Sequence, residues 1–394
     1  MTLFAMTYLF TACSDKDSDT GAEPAAEPAA EPAAEPAAEP AAEPSGEPAA
    51  EPSGEPDPVE LAIEGDWEDS WGSLHSIDVN LWSYGLSSFH ISHIDNDNMW
   101  LVAENDEANG YNPLLWSVFD WTMDDAGGLY YCQSSYDLSS EEDALAAAHA
   151  DGSDLSFGCS GFPWSELRMT IDIKGNYTDN WGGSHQVSAF SWTSGSSMFH
   201  LSEHNNESKW AVAQNDESNE YNPSLWSVFD WTMDDAGGLY YCQSSYDLSS
   251  EEDALAAAHA DGSDLSGGCN GFSWSELREE FMLTGSYTDN WDGSHQIDAF
   301  SWVSGDYSFH ISQYSNTEGW AVAQNDASNE YNPEKWSRFD IIDLSASDDG
   351  NIYYCQSIFD AETEAEAVSG ASADTDLATG CGGYSWSILT PEAP

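Results

Sequence analysis

The sequence predicts an all-β protein built from three tandem antiparallel barrel or sandwich modules of about 110 residues. Each module carries one short helix, and a proline-rich stalk precedes the first. Three observations predict this. The stretch Leu115–Ser156 recurs without a change at Leu225–Ser266, and a diverged copy runs from Lys335 to Cys381, with Trp116, Trp226 and Trp336 spaced 110 residues apart. A fixed period of this kind marks a repeated structural unit. Apolar residues alternate with polar ones between Gly- and Asp-rich turns, the pattern of strands with one buried face. Six of the seven cysteines fall two per copy in register.

Each element follows from local signals. Val59, Leu61 and Ile63 alternate with polar residues, as do Met169, Ile171 and Ile173, and then Phe281 and Leu283. This reads as an opening strand, so the modules span 59–168, 169–278 and 279–394 and abut without a linker. A turn and strand follow in Gly65–His75, Gly175–His185 and Gly285–His295, with the strand continuing to Trp82, Trp192 and Trp302. A further strand carries Phe89-His90 and its copies, and another starts at Trp100, Trp210 and Trp320. After a loop ending Tyr-Asn-Pro, a hairpin from Trp116 to Gln133 turns on Asp-Asp-Ala-Gly-Gly. Between the cysteines, Ser139 and Glu142 predict a capping box, and the alanines behind them predict a short helix. A last strand carries Trp164, Trp274 and Trp386. The count is six or seven strands per module, which fits a small barrel or sandwich.

Composition narrows the partners. Lys plus Arg number 7 against 72 Asp plus Glu, a formal charge of -65. Such a chain repels phosphate backbones and anionic lipid headgroups, which excludes nucleic acid as a partner. The same acidity suits a solvated surface in a salty medium, or attraction of cations, calcium above all. The in-register cysteines predict the disulfides Cys132–Cys159, Cys242–Cys269 and Cys355–Cys381, and with them an oxidising compartment. No C-x-x-C is present, and two thiols per module are too few for a zinc site.

Residues 1–12 are apolar and end at Cys13. Phe10-Thr11-Ala12-Cys13 resembles a bacterial lipoprotein signal, which implies that Cys13 is lipidated and becomes the mature N-terminus. Residues 13–58 repeat Glu-Pro at a four-residue step from Glu23-Pro24 to Glu55-Pro56. Proline at that density forbids helix, and the repeated charge extends the segment into a semi-rigid spacer. The resemblance implies a bacterial protein anchored by lipid at the outer membrane, cell surface or periplasm. The opening Gly65-Asp66-Trp67 is similar to the start of avidin and lipocalin barrels. The module as a whole resembles those of bacterial surface lipoproteins, a resemblance that brings no activity with it.

Four groups of residues are candidates for chemistry. Asn105, Asp106 and Asn109 recur as Asn215, Asp216, Asn219 and as Asn325, Asp326, Asn329, with Asp95 and Asp97 added in the first copy. Oxygen ligands clustered on a loop are what calcium needs, yet the spacing is not an EF-hand, and Asn and Asp also build turns. Trp71, Trp181 and Trp291 sit beside Gly and Asp in a turn, where an exposed indole suits stacking on a sugar ring. His75, His185 and His295 share parity with apolar neighbours and should be buried, whereas His90, His200 and His310 should face outward. Asp69 and Asp120, with their copies, supply carboxylates for a glycoside hydrolase only if they converge.

No nucleophile, P-loop, zinc-protease or dinucleotide motif is present, and three near-equal copies suit avidity more than turnover. The sequence therefore predicts a non-enzymatic, lipid-anchored surface binding or adhesion protein. Its expected partners are an extracellular glycan or protein, with calcium as the one cofactor to consider. A structural surface coat or spacer array is the alternative, and a secreted hydrolase the third.

Overall fold

The computed structural model describes residues 60–342 and 351–392. The signal 1–12, Cys13 and the spacer 13–58 lie outside the described residues. Each repeat is a closed, eight-stranded antiparallel barrel. In barrel 1 the strands are β1 (Gly65–Asp69), β2 (Leu74–Ile77), β3 (Leu81–Tyr84), β4 (Ser87–Asp95), β5 (Trp100–Asn105), β6 (Trp116–Met123), β7 (Leu129–Leu138) and β8 (Ser165–Met169), with helix α1 (Glu141–Leu145) between β7 and β8. Neighbours in sequence are neighbours in the sheet, and β8 returns to pair with β1 through Trp67↔Met169 and Asp69↔Leu167. Closure leaves no unpaired edge. Barrel 2 repeats this from β9 (Gly175–Asp179) to β16 (Ser275–Glu279), and barrel 3 from β17 (Gly285–Asp289) to β24 (Ser387–Pro391).

The structure corrects four details of the sequence reading. Leu61 and Ile63 are buried as their alternation predicts, at 3% and 1% exposure, but they lie in a turn closed by Glu64 N donating to Leu61 O. Ile171, Ile173, Phe281 and Leu283 do the same in the other barrels. These pairs plug one end of each barrel, and a plug shows the same two-residue burial period as a strand. The stretch from Leu74 to Trp82 is a hairpin, not one strand. Asp78 Oδ1 accepts the amides of Asn80 and Leu81, which turns the chain and pairs Ile77 with Trp82. This supplies the eighth strand. The cap of α1 is Ser140, whose side chain accepts from Asp143 N, not Ser139 with Glu142. Trp164 immediately precedes β8 instead of lying in it.

Inside barrel 1 the fully buried Trp82 stacks on Phe119 with ring centroids 4.5 Å apart. Trp192 on Phe229 and Trp302 on Phe339 repeat the pair at 4.7 and 4.4 Å. Outside the barrel wall a smaller cluster of Val102, Val118 and Ala144 seats the helix. All three expected disulfides are formed. They tie the seventh strand of each barrel to the loop that follows the helix.

The barrels join in one repeated way. Arg168, at the end of β8, reaches into barrel 2: it donates to Leu201 O, lies 4.5 Å from the centre of the Phe190 ring, and is held by Glu166 at 2.7 Å. Arg278 repeats this on barrel 3, donating to Ala299 O and Ile311 O over Phe300 and held by Glu276. Glu68 adds a bond to Ala189 N and an ion pair with Lys174 at the first joint only. The two outer faces lack these parts, with Asn80 where Phe190 and Phe300 stand and Thr390 where Arg168 and Arg278 stand.

Candidate ligand site at the barrel mouths

In an up-and-down barrel the loops alternate between two ends. The β1–β2, β3–β4, β5–β6 and β7–β8 connections gather at the end opposite the Leu61–Ile63 plug, and this end is the mouth. The buried pair Asp69 and His75 sits beneath it. Trp82 Nε1 donates to His75 Nδ1 at 3.0 Å, and an indole can only donate. The imidazole hydrogen is therefore on Nε2, which meets Asp69 Oδ2 at 3.2 Å. Tyr131 OH donates to the same carboxylate oxygen, and Asp69 Oδ1 accepts the amides of Trp71 and Ser73. Burial lowers the His75 pKa below its ordinary value, and the Asp69 carboxylate offsets this only in part. Burial and the same carboxylate raise Tyr131 well above the usual phenol range. His185 and His295 sit in matching networks. These histidines are buried anchors of the β1–β2 turn, as their parity predicts.

Above this layer, Asn105, Ser117 and Gln133 form a polar chain. Gln133 Nε2 donates to Ser117 Oγ at 3.0 Å, and Ser117 Oγ donates to Asn105 Oδ1 at 2.6 Å. Asn105 Nδ2 then donates to Asn112 O and Tyr136 O. The chain repeats through Asn215 and Asn325. Asn109 bonds both backbone groups of Ser88, and Asn219 and Asn329 do the same to Met198 and Ser308. These bonds hold the β5–β6 loop in a costly shape. Asn112 and Leu114 both have positive φ, at 49° and 60°, and the pairs Asn222/Ser224 and Asn332/Glu334 repeat it. Asn tolerates that region, whereas the others do so at a cost, and such strain persists only where the surroundings enforce it.

Asp106 points elsewhere, to the exposed His90 at 2.8 Å, and His200–Asp216 and His310–Asp326 match it. The Ser218 hydroxyl, His200 and the Ser218 amide together hold Asp216 down at about 2, and the Ser328 and His310 donors do the same for Asp326. Asp95 accepts from the amide and side chain of Asn98. It lies, with Asp97, at the other end of β5 from Asn105, roughly 17–20 Å away at strand spacing. The first-copy acids are therefore not part of one cluster with the Asn105 loop. Among the described residues no group of three or more His, Cys, Asp or Glu side chains is placed to hold a metal ion.

The loop forms the wall of a cavity. In barrel 3 a cavity of about 450 Å³ opens at the mouth. Trp302, Phe309, Phe339 and Tyr354 line its inner part, and Asn325, Asn329 and Gln356 add polar groups. Ser304, Asn332, Tyr307, Tyr331 and Phe359 complete it, with Tyr307 and Tyr331 ring centroids 6.1 Å apart. Barrel 1 has a smaller cavity of about 270 Å³ in the same place, lined by Tyr84, Phe89, Asn105, Asn109, Tyr111 and Gln133 among others. An apolar floor with a few fixed polar groups is the usual make-up of a small-ligand pocket, and barrel mouths are a usual location.

Trp71, Trp181 and Trp291 are 78%, 75% and 69% exposed, and the first two donate to Ser165 and Ser275. None of them lines the mouth cavities of barrels 1 and 3. Asp69 and Asp120 do not converge. Asp69 is inside the barrel, whereas Asp120 shares the outward parity of Val118 and is bonded by His149, Ser134 and Ala150 N. In barrel 3 the matching Asp340 is answered by Arg338 and Ala373 N instead. Comparison of the chain with protein-family models, with curated proteins and with solved structures yields no match.

Proposed function

We propose that this protein is a non-enzymatic binding protein that presents its barrel mouths to a glycan or another polar, ring-bearing ligand. The observation that carries the reading is the barrel 3 mouth, where aromatic rings and side-chain amides line one cavity of ligand size. Flat rings stack on the apolar faces of sugars, and Gln356, which gives one of its two Nε2 hydrogens to Ser337, can meet a hydroxyl. Three mouths on one chain suit tandem weak sites, whose avidity exceeds the affinity of each. Anchoring through Cys13 and the Glu-Pro spacer would hold the barrels away from a bacterial membrane. That part of the proposal rests on the sequence alone.

Calcium has no role in this reading. The amide oxygens of Asn105 and Asn109 are bonded within the protein, as are those of their copies. The test is binding of the full chain to an array of surface glycans, in chelator and in millimolar calcium. Retention of defined glycans equally in both conditions is the expected result. Binding that appears only with calcium would overturn the mouth as the site, and absence of any glycan binding would remove the glycan.

A further inference from the structure

The three mouths differ at several lining positions, and the one that decides their depth is on the third strand. Tyr84 in barrel 1 corresponds to Ser194 in barrel 2 and Ser304 in barrel 3. Tyr84 shares parity with the buried Trp82 and points into the barrel. Its ring stacks on His75 at 5.1 Å with 26° between planes, and on Phe89 at 5.7 Å with 13°. The consequence is visible in what each cavity touches. In barrel 1 the lining stops at Tyr84 and Phe89. In barrel 3 it continues past Ser304 to Trp302, Phe339 and Tyr354, whose counterparts Trp82, Phe119 and Tyr131 lie beneath Tyr84 in barrel 1. The volume follows, about 450 Å³ against about 270 Å³.

We infer that Tyr84 is a built-in occupant of its own barrel, and that barrel 3 takes a ligand's six-membered ring where Tyr84 sits in barrel 1. This rests on the mouth being the binding site, and it adds the ligand's shape. The seat is a slot that accepts a flat ring parallel to Phe309. Phe309 keeps its place in the slot, with its ring 5.1 Å from Phe339. Tyr307 and Tyr331 stand at the entrance, where barrel 1 has Ser87 and Tyr111. Barrel 1 is thereby a shallow site and barrel 3 a deep one.

The probe is p-cresol, the tyrosine side chain without its backbone. It is titrated into the full chain while the indole N–H signals of labelled tryptophans are followed, Trp302 and Trp82 being assigned by substitution to Phe. Saturable shift of Trp302 with no shift of Trp82 is the expected result. Ser304→Tyr should weaken binding at barrel 3 at least tenfold, and Ser304→Ala should preserve it. Tyr84→Ser should make the Trp82 signal respond. No saturable response at Trp302, or a response that survives Ser304→Tyr in a variant with native signal dispersion, would overturn the inference. A chain that binds p-cresol in this pattern but no glycan would keep the slot and lose the glycan reading. Glycan binding unchanged by Ser304→Tyr would do the reverse.

Discussion

At the scale of single residues, the buried polar groups explain themselves by their partners. His75 is held neutral by an indole that donates to one nitrogen and a carboxylate that accepts from the other. Its folded pKa lies below the unfolded value of 6.5. The unfolded chain therefore binds the proton first as pH falls. Stability from this group is complete above about 6.5 and is lost as pH drops below it, with a limiting slope of about 1.4 kcal/mol per pH unit. Unfolding of barrel 1, followed by amide exchange at pH 7 and pH 5, should show that loss, and Trp82→Phe should reduce it. Parity made both sets of histidines legible in the sequence. The partner of Asp120 was not legible. His149 and His259 hold that carboxylate from a loop in two barrels, and Arg338 holds Asp340 from a strand in the third. Register cannot reveal a donor that changes position.

At the scale of elements, the β5–β6 loop is the part that matters most. Its Asn and Asp residues suggested cation ligands because oxygen-rich spacing looks the same whether the oxygens face an ion or the backbone. In the fold the oxygens of Asn105 and Asn109 accept from Ser117 Oγ and Ser88 N, Asp106 meets His90, and the Asn105 amide holds the strained Tyr-Asn-Pro turn. Asn105→Ala would leave Ser117 Oγ, Asn112 O and Tyr136 O without that partner. The expected cost is about 2–4 kcal/mol of barrel stability, from buried groups left unpaired. Thermal unfolding of the variant measures it, and a change under 0.5 kcal/mol (roughly the scatter of surface substitutions) would contradict the assignment. Strand count was less legible than strand existence. Leu61 and Ile63 betray burial by alternation, but alternation does not distinguish a strand from a plug. The disulfides were legible because the pairs recur in register. The mouth was not, since barrel closure brings together Tyr84, Asn105 and Gln133 from strands far apart in the sequence.

At the scale of the whole molecule, the joints decide how the mouths are presented. Each internal joint packs a partly buried arginine from one barrel against one or two carbonyls and a phenylalanine of the next. Arg278→Ala should loosen barrel 3 from barrel 2 while each barrel stays folded. Small-angle scattering should then report a broader distribution of distances, with the thermal transition of the barrels moved little. The faces that carry Asn80 and Thr390 lack the phenylalanine and the arginine of this joint.

The central claim is that the mouths, not the exposed turns, carry binding. The most direct measurement compares two triple variants of the full chain on the same ligand array. Tyr111→Ala, Tyr221→Ala and Tyr331→Ala together strip the mouth rims, and Trp71→Ala, Trp181→Ala and Trp291→Ala strip the turns. The account predicts that the first set loses at least tenfold in apparent affinity and the second loses less than twofold. Loss of binding in the tryptophan set with the tyrosine set intact would place the site on the turns and contradict it.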